Sequence, residues 1–180
     1  MNRRSAAQDA ATVGLMIAVI EACKLFMQGF PNIEMTSFLV ILFTLRYGRL
    51  SLYAIPAFIL IEGIIYGFGL WWIMYLYAWP LLALVTRAFS RVDSAFFFAM
   101  VSGIFGLFFG FLCAIPYFFI GFAGGGFPQG IAQMLAWWVA GIPFDLIHAV
   151  ANFLLAFLLL PVLRKLLEKL TYALHFGAQI

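Results

Sequence analysis

Three polar side chains stand at helical spacing in an apolar stretch near the end of the chain. They are Asp145, His148 and Asn152, within GIPFDLIHAVANFLLAFLLLPVL. Positions i, i+3 and i+7 fall on one helix face, within an arc of about 60°. A carboxylate, an imidazole and an amide could bind a solute, transfer protons or contribute to a metal site. Which chemistry applies depends on the elements that surround this polar stripe.

The composition predicts that these surroundings are a membrane-embedded helical bundle. Of 180 residues, 66% are hydrophobic, 9% are charged and 22 are Phe. A soluble domain carries about 25% charged residues, so the bilayer must be the solvent for most of this surface. The apolar runs are continuous, whereas a spanning β-barrel alternates apolar and polar residues. We therefore expect an all-α integral membrane protein with one transmembrane domain over residues 1–180.

Six apolar segments are predicted to cross the membrane. They cover residues 10–28, 33–45, 51–68, 71–88, 94–115 and 143–163. The second is shorter than the roughly 20 residues that a spanning helix needs, so it should be tilted or buried among its neighbours. The Gly-rich, aromatic segment 116–142 is expected to connect the last two spans, with a short helix near 132–139.

The basic residues predict the orientation of the bundle. Nine of the ten, all except Lys24, lie on one side of the predicted spans. These nine are Arg3, Arg4, Arg46, Arg49, Arg87, Arg91, Arg164, Lys165 and Lys169. The positive-inside rule then places both termini in the cytoplasm. The outer connections are rich in Gly, Pro and aromatic residues, which is typical either of an interfacial aromatic belt or of a binding pocket.

Further polar residues lie at the depth of the polar stripe. Glu21 and Lys24 lie in the first span, and Glu34 opens the second. One interpretation is structural: Lys24 pairs with Glu21, His148 pairs with a carboxylate, and Asp145 caps the sixth helix. The other is a ligand site open to the outside. Its candidate substrate-binding residues are Asn32, Glu34, Glu62, Tyr66, Trp71, Trp72, Tyr75, Asp145, His148 and Asn152.

No catalytic or metal-binding motif accompanies these residues. The sequence contains neither HExxH, nor Gly-x-Ser-x-Gly, nor a phosphate-binding loop. His148 is the one histidine in the predicted spans, and no Ser or Cys pairs obviously with it. We therefore predict no catalytic residue, no metal ligand and no enzymatic activity. ATP hydrolysis, if it drives transport, must occur in other subunits.

Small residues recur at helical spacing along the first span. Ala10, Gly14, Ala18 and Ala22 follow one another at intervals of four, and Ala7 with Ala11 forms a parallel pair. Such spacing lets another helix approach closely. The groove either packs inside the bundle or docks a separate membrane subunit.

Four segments together resemble the substrate-binding (S) components of energy-coupling factor (ECF) vitamin transporters. They are AAQDAATVGLMIA, PNIEMTSFLVILFTLRYG, EGIIYGFGLWWIMYLYAWPLL and GIPFDLIHAVANFLLA. The last three are similar to a subgroup that includes cobalamin-specific members, and the resemblance covers nearly the whole chain. It implies a multi-pass protein of the bacterial cytoplasmic membrane. It also implies that Ala7 and Ala11, with Gly14 and Ala18 as a near-match, dock a coupling subunit.

The resemblance further implies a mechanism of uptake. The chain would capture a vitamin at its outer face, dock on the transmembrane coupling subunit (EcfT) attached to two ATPases (EcfA and EcfA′), and topple to carry its site inwards. The expected ligand is cobalamin, as cargo and not as a cofactor. Another vitamin or vitamin precursor is the alternative.

Two other classes of function are compatible with the polar residues. Glu21, Glu62 and Asp145 could form the proton relay of a stand-alone ion-coupled secondary transporter. Asp145 and His148 could act as acid and base in an intramembrane enzyme that modifies a lipid. The lack of an internal inverted repeat, a paired nucleophile or a metal motif disfavours both.

Overall fold

The computed structural model describes the backbone of residues 5–176 and the side chains of residues 5–170. Within that range the chain is helical, without strands. The helices are α1 (Ala6–Met27), α2 (Thr36–Tyr47), α3 (Ser51–Tyr66), α4 (Leu70–Ala88) and α5 (Ala95–Phe176), with a 3₁₀ turn at Gly48–Leu50. Three helical stretches, Ala6–Met27, Thr36–Tyr66 and Ala95–Leu170, are long and apolar enough to cross a membrane. This is the architecture expected of a membrane-embedded protein.

A sharp reversal divides α5 into two antiparallel arms. Gly125 (φ −161°) and Gly126 (φ 76°) leave the helical conformation, and glycine adopts the positive φ of Gly126 without steric cost. We call the arms α5a (95–124) and α5b (127–176). The predicted connection over 116–142, with a short helix inside it, is therefore wrong, because both arms continue through it to the turn. Pro128 lies in the first turn of α5b, where proline is tolerated.

Six helical segments within residues 5–176 run alternately up and down, which gives the bundle two distinct ends. At the basic end, Arg164 Nη2 lies 3.1 Å from Asp93 Oδ1, beside the start of α5a. At the opposite end, which we call the site end, Gln28 Nε2 donates to Tyr66 Oη over 3.2 Å. The last turn of α2 and the α4–α5 link lie at the basic end. Arg3 and Arg4, which also contribute to the predicted orientation, lie outside the described residues.

The short helix α2 forms the centre of the bundle. Its residues Thr36–Thr44 are all buried, and it packs against α1, α3, α4 and α5. Twelve residues extend about 18 Å, well short of a bilayer core. The expectation that the second segment is buried among its neighbours is confirmed, since a helix that is hydrophobic all round needs protein on every side.

Close contact between α5a and α5b positions the polar stripe. A Cβ added at Gly106 would lie 2.9 Å from the carbonyl oxygen of His148 and 3.0 Å from Ala149 Cα. A Cβ added at Gly103 would lie 3.1 Å from Phe153 Cβ. The glycines therefore bring the two backbones together, as small residues do between membrane helices.

Replacing Gly106 by Ala should destabilise the bundle by about 1–3 kcal/mol. The added methyl group would clash with backbone atoms of α5b, which cannot move without displacing the helix. Thermal melting in detergent measures the effect. Gly14→Ala is the matched control, since a Cβ there meets nothing within 4 Å. Equal melting temperatures for the two variants would contradict close α5a–α5b packing at Gly106.

Candidate functional site

The polar stripe of α5b contacts the amino-terminal end of α2. His148 Nε2 lies 3.0 Å from Glu34 Oε1, and Asn152 Nδ2 donates to Ser37 Oγ over 3.1 Å. Glu34 in turn accepts hydrogen bonds from the backbone N–H and the hydroxyl of Ser37. We call these four residues, Glu34, Ser37, His148 and Asn152, the α2 clamp. It links the start of α2 to α5b through side-chain contacts.

Glu34 sits where a carboxylate is favoured, just before a helix whose first N–H groups lack partners. Its two carboxylate oxygens accept the backbone N–H of Ser37, and Oε1 also accepts the Ser37 hydroxyl. The expectation that His148 pairs with a carboxylate is confirmed.

Asp145 has a different partner from the rest of the polar stripe. Its Oδ1 accepts the backbone N–H of Gly110 in α5a over 2.9 Å. Its Oδ2 has no partner at hydrogen-bonding geometry, although the Trp138 indole lies near it. Because α5b begins at residue 127, Asp145 lies well inside the helix, and the interpretation of Asp145 as a helix cap is wrong. Asp145, His148 and Asn152 are all at least 95% buried (5%, 5% and 0% exposed).

A second polar centre lies between α1, α3 and α4. Lys24 Nζ forms an ion pair with Glu62 Oε2, so the predicted pairing of Lys24 with Glu21 is not the one observed. The same ammonium lies 5.2 Å from the ring centroid of Tyr75, 5.3 Å from that of Phe58 and 5.8 Å from that of Tyr66. We call Lys24, its three rings, Glu21 and Glu62 the Lys24 cage. The cage combines cation–π contacts with carboxylates.

Tyr75 belongs to the Lys24 cage and also lies near the α2 clamp, since both Glu62 and Glu34 are close enough to interact with its hydroxyl. Trp71 packs edge-on against the ring of Tyr75, with centroids 5.3 Å apart. Tyr66 is 44% exposed at the site end. The structure thus brings these predicted residues to one region, around the site end of α3 and α4.

Two of the predicted substrate-binding residues also have structural roles. Trp72 Nε1 donates to the carbonyl oxygen of Ile59 over 2.7 Å, which fixes α4 against α3. Asn32 has a positive φ of 60° in the turn between α1 and α2, a conformation in which Asn is enriched. Trp72 thus has a structural contact, and Asn32 has a backbone role in the turn.

Several buried acceptors of the two centres lack a donor among the described residues. They are Glu21 Oε1, Glu62 Oε1, Asp145 Oδ2 and Asn152 Oδ1. Buried polar atoms are normally hydrogen-bonded, and leaving one unpaired costs about 1–3 kcal/mol. The site end therefore favours molecules that supply N–H donors or positive charge. No three His, Cys, Asp or Glu side chains converge for a metal ion within the described part of the chain.

Two cavities lie away from these centres. One, of about 190 Å³, lies between α1, α2 and α5b and is lined by Leu15, Leu39 and Leu166 among others. The other, of about 360 Å³, lies at the basic end beside Asp93 and Arg164. Neither is lined by a predicted substrate-binding residue.

The predicted docking residues form one exposed face of α1. Ala7, Ala11, Gly14 and Ala18 are all exposed, and only Met16 and Ile20 of this helix are buried. The alternative that the small residues pack inside the bundle is wrong. From Ala7 to Ala18 this face consists of small residues flanked by the exposed Leu15, and it is free for another helix.

Sequence reasoning missed three residues of the candidate site. Ser37 links Glu34 to Asn152, Phe58 supplies a ring of the Lys24 cage, and Gly110 binds Asp145. A signal existed for Ser37, since it follows Glu34 by three residues at the start of an apolar helix. Phe58 is one of 22 phenylalanines, and nothing in the sequence distinguishes it.

No family model, no curated protein and no solved structure matches the chain.

Proposed function

We propose that this chain is the solute-binding (S) component of an ECF-type importer, crossing the bacterial cytoplasmic membrane with six helical segments. The observation that carries the proposal is the exposed small-residue face of α1, which packing within the bundle does not explain. The resemblance of four sequence segments to these S components supports the same function.

The proposed orientation follows from the distribution of charge. The basic residues of α2, α4 and α5b, such as Arg46, Arg87 and Arg164, lie at the end opposite the α2 clamp. The positive-inside rule favours the cytoplasm for this basic end. The α2 clamp and the Lys24 cage then lie at the outer end, where a solute arrives. Both termini lie on the cytoplasmic side in this arrangement.

In the proposed mechanism the chain binds its solute without ATP. The face formed by Ala7, Ala11, Gly14 and Ala18 then docks on the coupling subunit EcfT, which the ATPases EcfA and EcfA′ drive. The bundle reorients in the membrane and brings the site end towards the cytoplasm. Its flanks expose large apolar side chains such as Leu84 and Val150, which suits a body surrounded by lipid.

Cobalamin is the first ligand to test. It carries several side-chain amides, whose N–H groups would pair with unpartnered acceptors such as Asp145 Oδ2 and Asn152 Oδ1. Another vitamin that presents N–H donors would pair with the same acceptors. The identity of the ligand is therefore to be determined by titrating a panel of vitamins.

Calorimetric titration of the purified full chain with cobalamin, and then with a panel of other vitamins, tests the proposal. We expect saturable submicromolar binding of one vitamin without ATP or partners. Binding of a vitamin other than cobalamin would support the function and correct the ligand. No binding across the panel would contradict the proposed function.

Asp145→Ala and Asn152→Ala should each weaken that binding about tenfold, the equivalent of about 1.4 kcal/mol, which is within the range for a lost buried hydrogen bond. Thr86→Ala is the matched control, because it removes a buried hydroxyl that donates to Leu82 O at the basic end. Equal losses of affinity in all three variants would indicate a general loss of structure.

A further inference from the structure

The Lys24 cage has the composition of a cation-binding site. Three aromatic rings surround one ammonium group, at 5.2 to 5.8 Å from their centroids. Rings in this arrangement attract a cation through their negative faces, and proteins use such cages to recognise quaternary ammonium groups. A carboxylate, Glu62, completes the cage and is only 1% exposed. The three rings and Glu62 come from α3 and α4, whereas Lys24 and Glu21 come from α1.

The Lys24 cage contains two carboxyl groups, those of Glu21 and Glu62, and one ammonium group. Glu21 lies close enough to both Glu62 and Lys24 to interact with their charges. Glu21 Oε1 and Glu62 Oε1 both lack a donor among the described residues. Lys24 supplies a single positive charge, and it pairs with Glu62. The centre can therefore accept a further cation or a replacement for Lys24.

Lys24 is the member of the cage that can leave. Its side chain is 20% exposed, whereas that of Glu62 is 2% exposed. It stands in the last turn of α1, and α1 buries only Met16 and Ile20. A flexible four-carbon stem lets the ammonium turn outwards to water. The rings and Glu62 would then face the vacated position.

We propose that the Lys24 cage binds an organic cation, an amine or a quaternary ammonium group, and that the Lys24 ammonium occupies the cage when this ligand is absent. That the cation is the captured solute rests on the proposed function, whereas the binding itself does not. Lys24 is thereby an internal competitor, so removing it should strengthen binding. A purely structural ion pair predicts no such gain.

The test uses choline and its uncharged isostere 3,3-dimethylbutan-1-ol, which have nearly the same shape. Both are titrated into the full chain in detergent. We expect choline, and not the isostere, to bind and to raise the melting temperature of the wild type. Lys24→Met should strengthen choline binding about tenfold or more, because the site no longer has to expel its own cation. Lys169→Met, which removes an exposed lysine at the basic end, should leave it unchanged.

The outcomes separate this inference from the proposed function. If choline binds no better than its isostere, both in the wild type and in Lys24→Met, the inference is wrong, even where a vitamin binds tightly. If choline binds and Lys24→Met strengthens it, the inference holds, even where no vitamin in the panel binds. Should Lys24→Met fail to fold, the melting shift of the wild type decides between the same two results.

Discussion

Uptake by the proposed importer should fall about tenfold or more when Gly14 is replaced by Trp, whereas ligand binding by the isolated chain should stay within about twofold of the wild type. The structure separates these two effects, because a Cβ at Gly14 meets nothing within 4 Å. Gly14 is exposed, so a large side chain there can extend away from the bundle. It does prevent the close approach of a second helix, which depends on small residues. Ala11→Trp should act in the same way, one turn along the same exposed face.

The measurement is uptake of labelled ligand by cells that produce the chain together with the coupling module, with calorimetry on the purified variant. We expect uptake to fall about tenfold or more, which corresponds to about 1.4 kcal/mol of lost docking free energy. Leu84→Trp is the control, since Leu84 is 56% exposed on α4, away from this face. Unchanged uptake with Gly14→Trp would remove the docking role of α1, and a matching loss with Leu84→Trp would point to a general effect of bulk.

The sequence predicted the helical class and the burial of the polar stripe because both follow from local patterns. Continuous apolar runs favour helices in lipid, and a spacing of i, i+3 and i+7 places Asp145, His148 and Asn152 on one face whatever the surrounding fold. Burial follows as well, since polar side chains that face lipid are costly. No tertiary information is needed for any of these steps.

The reversal of α5 could not be located from the same patterns. Pro116, Gly124, Gly125, Gly126 and Pro128 all carry the signals of turns, yet only Gly125 and Gly126 leave the helical conformation. Each arm packs against the other along its length, as the stacked rings of Tyr117 and Trp137, with centroids 4.8 Å apart, illustrate. This packing keeps prolines and glycines helical where local propensity would end the helix.

The partner of Lys24 likewise depends on tertiary structure. Glu21 is three residues away on the same helix, and this spacing predicts that it pairs with Lys24. The observed partner, Glu62, is separated by 38 residues and belongs to α3. Which carboxylate the ammonium reaches is decided by how α1 packs on α3, and a single sequence carries no direct signal of that packing.

Because Lys24 of α1 pairs with Glu62 of α3, the two single substitutions should lower stability by different amounts. Lys24→Met should lower the free energy of unfolding by about 2–4 kcal/mol, because it leaves the buried Glu62 without its cation. Glu62→Leu should cost less, about 1 kcal/mol, because Lys24 can turn towards water and remains near Glu21. The double variant Lys24→Met/Glu62→Leu should recover most of the loss, since apolar side chains of similar size replace both charges.

Thermal and denaturant unfolding in one detergent, over the four combinations, gives the coupling between the two residues. Lys169→Met controls for the loss of a lysine, and its unfolding should match the wild type because Lys169 is exposed. Additive effects of the two single substitutions would mean that the ion pair contributes nothing to the packing of α1 on α3. A double variant as unstable as Lys24→Met would instead mean that Glu21, and not Glu62, is the carboxylate that needs the lysine.

Adding choline to Lys24→Met connects this expectation to the proposed cation site, because a cation that enters the cage should restore the lost stability.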